Sequence, residues 1–511
     1  VGGNASVTGA VQAREFSLGA NTLAITGALT TNAGGTIRTT LLSDAVFGKI
    51  VVGTSNINAG GVTVIPTVTG VLTNGTNFKI VDAPAGTIGA VVSVLNNNPR
   101  YTFAGVPTTT GDVNIRLTGV TPLAALVTAP GAAAVAPVLE VIAPTGSDLL
   151  TVQDAIAVLP SGGAINSALT QLAPGAAMLG AARVVGQTAS HFDDLWMTRL
   201  DEVQDLCCDT TCEPKGSAVP ANSLKCKTAE KKSNWWGRGF GSFGSQGEVD
   251  NVSGYKTEAF GLMLAYDIPL SQETRIGLGA GYANTNIDGT DSNDQTKVDS
   301  YQLTGYINHA PGPWFIKGAV TVGMDRYDGS RSIVFPGVNR TANADYKGHQ
   351  YSGIVTVGRH FFIDQTTITP LASIRASRIH LDGYTESGAG DINLRVNSQD
   401  YNLAQSSLGV KAERAISSGS GNFYPEVHVK WLHDLSSTTT ELNAAFTGGG
   451  AEFTTHGVKQ SRDLFNVGAG VSFLSCNCGQ NSWTVKGLYD YKWNQSSYSE
   501  HQVSIVASLK F

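Results

Sequence analysis

The sequence predicts an all-β chain whose C-terminal half is a 12-stranded antiparallel transmembrane β-barrel. Segments of roughly ten residues alternate apolar with polar side chains from Trp235 to Phe511, as strands do between lipid and a wet lumen. Charged residues make up 14% of the 511, against roughly 25% in a soluble globular chain. No clean apolar run reaches the roughly 20 residues of a spanning helix, which leaves a closed barrel as the way across a membrane.

The rest of the composition agrees. Glycine is 60 of 511, about 12% where 7% is usual, and the mean hydropathy is −0.01. The net charge of −6 gives no electrostatic reason to expect nucleic-acid binding. Val1 is followed by no basic n-region or apolar h-region, so a mature or trimmed chain is expected, with further sequence upstream.

Residues 1–120 are rich in Gly, Thr, Val and Asn, with short apolar runs such as Phe16-Ser-Leu18, Thr22-Leu-Ala-Ile-Thr26, Lys49-Ile-Val-Val52 and Gly61-Val-Thr-Val-Ile65. Turn residues between them point to a β-solenoid whose coils stack on their neighbours; an ordinary β-sandwich is the other reading. Residues 122–143 are the nearest approach to a long apolar run, charged only at Glu140. Pro122, Pro130 and Pro137 interrupt it, so it reads as a linker.

Residues 147–205 change to a helical period. Phe192, Leu195, Trp196, Leu200 and Val203 recur one, three or four apart, with Asp193, Asp194, Arg199 and Asp201 between them. A helix on a soluble core would look the same, but its place just before a barrel favours one that threads the pore. Residues 206–234 form a polar insert containing Pro214, Pro220, four Cys and a Lys-rich end, which reads as loop.

In the barrel, 235–511, the last strand is clearest. Val503, Ile505, Ala507, Leu509 and Phe511 share one face; Ser504, Ser508 and Lys510 share the other, with Val506 an apolar exception. In 483–493, Trp483, Val485, Tyr489, Tyr491 and Trp493 oppose Thr484, Lys486, Asp490 and Lys492. Charges inside and apolar residues outside suit a barrel in lipid. Trp431, Trp483, Tyr491 and Trp493, near strand ends, are candidates for the aromatic girdles. Strands are expected to begin near Trp235, Lys256, Glu273, Lys297, Trp314, Tyr346, Thr367, Asn393, Asn422, Arg462, Ser482 and Ser499. Short connections (268–273, 362–366, 416–422) belong to the periplasm and long ones (328–345, 381–392, 435–461) to the outside.

The order of these segments resembles the translocator of a classical (type Va) autotransporter. Thr369-Pro-Leu-Ala-Ser-Ile-Arg375 followed by Asp382-Gly-Tyr-Thr-Glu-Ser-Gly388, the stretch 403–414 with Ser407-Leu-Gly-Val-Lys411, Pro425-Glu-Val-His-Val-Lys-Trp-Leu-His433 and 256–267 each resemble family stretches. The likeness covers about 147–511 well and 60–120 weakly. Residues 71–117 resemble the capping, autochaperone-like segment of such passengers. The insert is longer than the family's usual link. The resemblance implies a right-handed parallel β-helix fragment before the pore helix, and type V secretion of that passenger to the cell surface for adhesion or host or surface interaction. The strand ending in Phe511 is similar to the barrel-assembly signal, with Val503, Ile505, Leu509 and Phe511 as its residues. Implied partners are outer-membrane lipid, the barrel-assembly machinery and host or surface receptors. Some relatives cut their own linker helix through Asn or acidic lumen residues. Here Asn166 is the sole Asn between Asn114 and Asn222, and no cleavage site is assigned.

Cys207, Cys208, Cys212, Cys226, Cys476 and Cys478 all fall on the periplasmic side of this topology and are disulfide candidates in an oxidising compartment. Six Cys allow 15 pairings, and no zinc-type CxxC pair is present. His428 and His433 read as polar residues of lumen or interface. No nucleophile, phosphate-loop or metalloprotease motif stands in the right context, so neither an enzyme nor a cofactor is expected. The alternatives are a porin-like barrel with a plug, or a carrier of an enzymatic passenger upstream of residue 1. Non-reducing peptide mapping of native protein should find the six Cys bridged; six free thiols would refute that.

Overall fold

The computed structural model describes residues 3–57, 61–88, 92–202, 234–290, 293–418, 421–475 and 482–510. None of its described helices is long and apolar enough to cross a membrane.

The first ten strands form one mostly parallel sheet: β1 Ala5–Val7, β2 Val11–Ser17, β3 Thr22–Leu41, β4 Lys49–Ile57, β5 Val62–Val68, β6 Asn77–Asp82, β7 Ala85–Ile88, β8 Val92–Val94, β9 Tyr101–Val106 and β10 Val113–Val120. β3 pairs in parallel with β1 and β2 on one side and with β4 and β5 on the other. Partners lie 18 residues apart at Ala5↔Leu23, 27 at Thr22↔Lys49 and 31 at Ile50↔Val81. Each pass thus lies over the one before, and Leu29, Ile37, Ile50, Val64 and Ile80 share a buried core. The stack ends where β10 pairs antiparallel with both β6 and β9. That change falls inside 71–117, the segment that differs from the rest in sequence.

Residues 122–143 are not the linker that their prolines suggested. Leu123–Ala125 is a 3-10 turn and Pro130–Glu140 is helix α1. Pro130 sits at the first helical turn, where its missing N–H is no loss. Pro137 lies inside the helix, and the burial of Ala132, Val135, Ala136 and Leu139 offsets the hydrogen bond it removes. Helices α2 (Asp148–Ala157), α3 (Gly162–Leu172) and α4 (Ala176–Glu202) follow. Ser147 and Ser161 cap α2 and α3 by accepting from the N–H of Leu150 and Ala164.

Twelve long antiparallel strands then close a barrel: β11 Asn234–Gln246, β12 Tyr255–Pro269, β13 Thr274–Gly289, β14 Asp294–His309, β15 Trp314–Phe335, β16 Val338–Arg359, β17 Thr366–Leu381, β18 Gln399–Arg414, β19 Gly421–Asp434, β20 Asp463–Ser475, β21 Ser482–Asn494 and β22 Tyr498–Lys510. Each pairs with the next, and β22 returns to β11 from Asn234↔Lys510 to Gln246↔Tyr498. Two three-residue strands, Phe361–Ile363 and Ile416–Ser418, extend turn hairpins.

Ten of the twelve starts lie within three residues of expectation. The fourth, near Lys297, falls three late, and two miss by more. Residues 328–345 are not a loop: β15 and β16 run on for 22 residues each and meet at Phe335↔Val338. Pro336-Gly337 makes the turn, with Gly337 at φ 88°, the left-handed position that glycine takes after proline in a tight turn. β18 starts at Gln399, because Leu394–Val396, near the expected start at Asn393, belongs to a separate four-stranded sheet with Tyr384–Thr385, Glu441–Phe446 and Phe453–His456. That sheet ties the two longest outer loops together.

The outward side chains of β15 show where the membrane stops. Trp314, Ile316, Val320, Val322 and Met324 are exposed apolar residues, and Arg326 and Asp328 follow. Ten residues suffice for a spanning strand, so the distal half of the β15–β16 hairpin stands above the bilayer. There Ile333, Phe335, Val338 and Ala342 join Ile392, Leu394, Leu442, Phe446 and Phe453 of the loops in one core with Val135, Val152, Ile165, Leu169 and Leu172 of α1–α3. The helices thus form a cap folded together with the outer loops. Arg331 and Glu386, each 1% exposed, pair at 2.6 Å, and Arg331 also donates to Gln171 O at 2.6 Å. Arg340 grips Asp148 through two 2.6 Å bonds and holds that carboxyl below the usual carboxylate range. The parallel sheet docks on the far side: Asn98 Nδ2 donates to Ala157 O (2.8 Å), Val71 N to Asp154 Oδ1 (3.0 Å), and Arg100 pairs with Glu140 (2.7 Å).

Arg331→Ala leaves the buried Glu386 carboxylate without its cation, at a cost of about 3–5 kcal/mol. Limited proteolysis of the folded variant should nick 121–172 where the parent resists. Equal resistance in both would show that this pair does not hold the cap.

Candidate functional site

α4 enters the lumen from the cap, and barrel side chains receive it from its first turn. Asp294, at the start of β14, accepts from the N–H of Ala177 (2.8 Å) and Met178 (3.3 Å). A carboxylate there satisfies free amides and meets the positive end of the helix dipole. Below it, Ala177, Ala181, Ala182, Val184 and Val185 pack against Tyr255, Ile287, Val298, Tyr327, Tyr346 and Leu381 in an apolar collar. The small residues of this half of α4 let the helix fit so tight a neck.

Lower down, the two sides of the lumen differ. On the β11–β15 side the contact is aromatic. Trp196 lies 5.0 Å from the rings of both Trp236 and Tyr306, and Phe192 meets Phe240 edge-on at 5.3 Å. Gly279 and Gly281 of β13 are flat enough to admit them: a Cβ on Gly281 would stand 2.7 Å from the Phe192 ring, and one on Gly279 would overlap Trp196.

On the β17–β22 side the contact is ionic. Arg183 pairs with Asp434 (2.5 Å) and donates to Gln460 (2.6 Å). His191 meets Glu500 at 2.5 Å. Asp193 pairs with Arg375 (2.8 Å), which also donates to Ser190 (2.6 Å). Asp194 lies 3.5 Å from both Lys430 and Lys492. Beyond the helix, Lys486 pairs with Glu426 (2.7 Å) and His428 with Asp490 (2.8 Å). Ions this buried persist because each has an opposite partner. The arrangement holds a helix in place and fills most of a pore.

The residues singled out in the sequence fall as follows. Val503 (50% exposed) and Ile505 (59%) face lipid, while Val506 is buried inside; the Leu509 side chain and Phe511 lie outside the described residues. Trp431 and Trp493 are exposed near the outer strand ends and Trp483 near the periplasmic end, with Tyr491 half-buried beside Trp493. Trp235, Tyr266 and Trp314 add to the periplasmic girdle. His428 is a lumen residue, and His433 bonds Asp463 at 2.8 Å on the outer face. Asn166 sits in α3, its Oδ1 accepting from Thr128 and Ala129. All six Cys lie outside the described residues.

Sequence reading named Asp193 and Asp194 and put Lys430 and Lys492 on inward strand faces, but did not pair them. Arg375, Glu500, Asp434 and Asp294 were missed. Glu500 was within reach, since the alternation of Ser504 and Gln502 carries one step further to it. Asp294 was not, because it acts on a helix more than a hundred residues earlier.

Known proteins are similar to parts of this chain. The autotransporter beta-domain family model matches residues 235–490. Outer membrane protein A of Rickettsia rickettsii is 27% identical over 284 residues, covering 54% of this chain and 12% of that protein. An extracellular serine protease of Serratia marcescens is 26% identical over 236 residues (46% and 22%), and esterase EstA of Pseudomonas aeruginosa 22% over 283 residues (54% and 43%). The chain thus spans less than half the length of each. Among solved structures, the translocator domain of autotransporter NalP from Neisseria meningitidis covers 64% of this chain and 98% of its own, at 17% identity and TM-score 0.45. The beta domain of the Bordetella autotransporter BrkA covers 55% and 100%, at 17% and 0.39. By its β-domain, this chain belongs to the autotransporter family and lies in the outer membrane.

Proposed function

We propose that this autotransporter exports the segment preceding its pore helix and keeps it folded and attached at the cell surface, for adhesion or contact with a host or surface receptor. The observation that carries the reading is the continuity of the chain from docked sheet, through a helical cap built into the outer loops, to a helix seated along the lumen. With β11 rising from the periplasm, the cap and the sheet lie outside. A stacked parallel sheet offers an extended face and suits binding. The role proposed is adhesive or structural rather than enzymatic; the protease and esterase named above describe those relatives. Assembly would rest on the barrel-assembly machinery reading the last strand, in which Val503 and Ile505 present the apolar face.

An epitope inserted in the exposed turn between Asp44 and Ala45 should bind antibody on intact cells. Binding only after the outer membrane is permeabilised would place the sheet inside and favour a plugged, porin-like barrel. Gly279→Leu should displace Trp196 and loosen the helix, so that cells carrying the variant at parental levels admit bulky solutes. Unchanged permeability would mean that the helix is not the seal.

A further inference from the structure

The charged side of the lumen is not filled by α4. A cavity of about 90 Å³ extends inward from Phe315, Thr369, Lys411 and Glu426, near the periplasmic strand ends. A second, of about 80 Å³, lies along Gly186, Gln187 and Ser190 of the helix. A third, of about 10 Å³, reaches Val252 and Ser253 in the outer connection between β11 and β12. On the measure by which one water needs about 10–15 Å³, the first two hold several waters each and the third about one.

The three lie in series. Arg375, Gln405 and Leu432 line both the first and the second, and Arg183 lines both the second and the third. An arginine therefore stands at each junction. Each is fixed on one side: Arg375 by Asp193 and Ser190, Arg183 by Asp434 and Gln460. Each keeps one terminal nitrogen, Nη2 of Arg375 and Nη1 of Arg183, without a protein partner among the described residues. The walls carry the same sign. Four Lys or Arg face three carboxylates around the first cavity, and three face two around the second.

We propose that the helix-filled barrel retains a narrow path for small inorganic anions along β17–β22, with Arg375 and Arg183 as its two constrictions. A guanidinium with an open donor replaces part of the hydration of a passing anion and repels a cation, as arginine and lysine do in anion pores. Its own acid partner keeps the site from holding the anion tightly, which passage requires. The one-water upper cavity limits the flow. The path rests on lumen geometry alone, so it stands or falls independently of surface display.

Purified full-length chain in planar bilayers, under a potassium chloride gradient, tests it. The expected result is a small steady conductance with a reversal potential of the sign set by chloride. Arg375→Gln and Arg183→Gln should each lower the chloride-over-potassium permeability ratio several-fold, because an aspartate is left at the constriction. Arg378→Gln, on the outer face of the same strand and 62% exposed, should change neither. Arg375→Lys keeps the charge in a slimmer side chain; it should preserve the anion preference and raise conductance, and it serves where the Gln variant does not insert. No current, cation preference in the parent, an unchanged ratio in both Gln variants, or loss of preference in Arg375→Lys would each overturn the proposal.

Discussion

In hydrocarbon an unpaired peptide group costs several kcal/mol, and this chain meets that constraint in one place, the ladder between β11 and β22. Thirteen residues of the first strand pair in register with the last. Without that closure the sheet would present two raw edges to lipid. With it, the strand number is fixed at twelve and so is the bore. A bore of that size has to be filled, lined with polar groups or narrowed, and the chain does all three. α4 fills most of it, charges line one side, and an apolar collar narrows the outer end.

The two-sided lumen follows from the same strand geometry. Side chains alternate in and out with period two, so each inward position must suit both its height and its strand. β13 spends inward positions on glycine and thereby makes room for Trp196 and Phe192. β17, β21 and β22 spend theirs on Arg375, Lys492 and Glu500, which meet acids and a histidine on the helix. Dispersion contacts fix how closely the helix lies against one wall. Ion pairs fix its rotation, because each partner sits at one point of the helical turn.

Much of this was legible in the sequence because period-two alternation with lipid on one face is a strong pattern. Strand starts at Trp314 and Ser482 matched residue for residue. The failures share a cause. Residues 328–345 are as polar as a loop, yet Pro336-Gly337 can turn a hairpin in two residues, and a strand in water keeps its hydrogen bonds whatever its outward side chains are. Pro122, Pro130 and Pro137 argued against helix, but propensity is local and the core that stabilises α1 draws on loops some two hundred to three hundred residues away. The lumen partners were hidden for the same reason: a pair such as Asp193 and Arg375 is separated by 182 residues, and only closure of the barrel brings its members together.

The mixed composition of the outer cap has a consequence for timing. Its core needs α1–α3 together with residues from 333–342, 389–396 and 442–453. A bundle of three helices, each some 10–12 Å across with side chains, is also wider than a passage that one helix nearly fills. On the proposed export route, the cap closes only once the barrel is complete and the chain ahead of α4 has been threaded through. On that route it would work as a toggle does behind a buttonhole: the thin helix passes and the folded knot does not, so the direction of transfer would be recorded in the shape of the product.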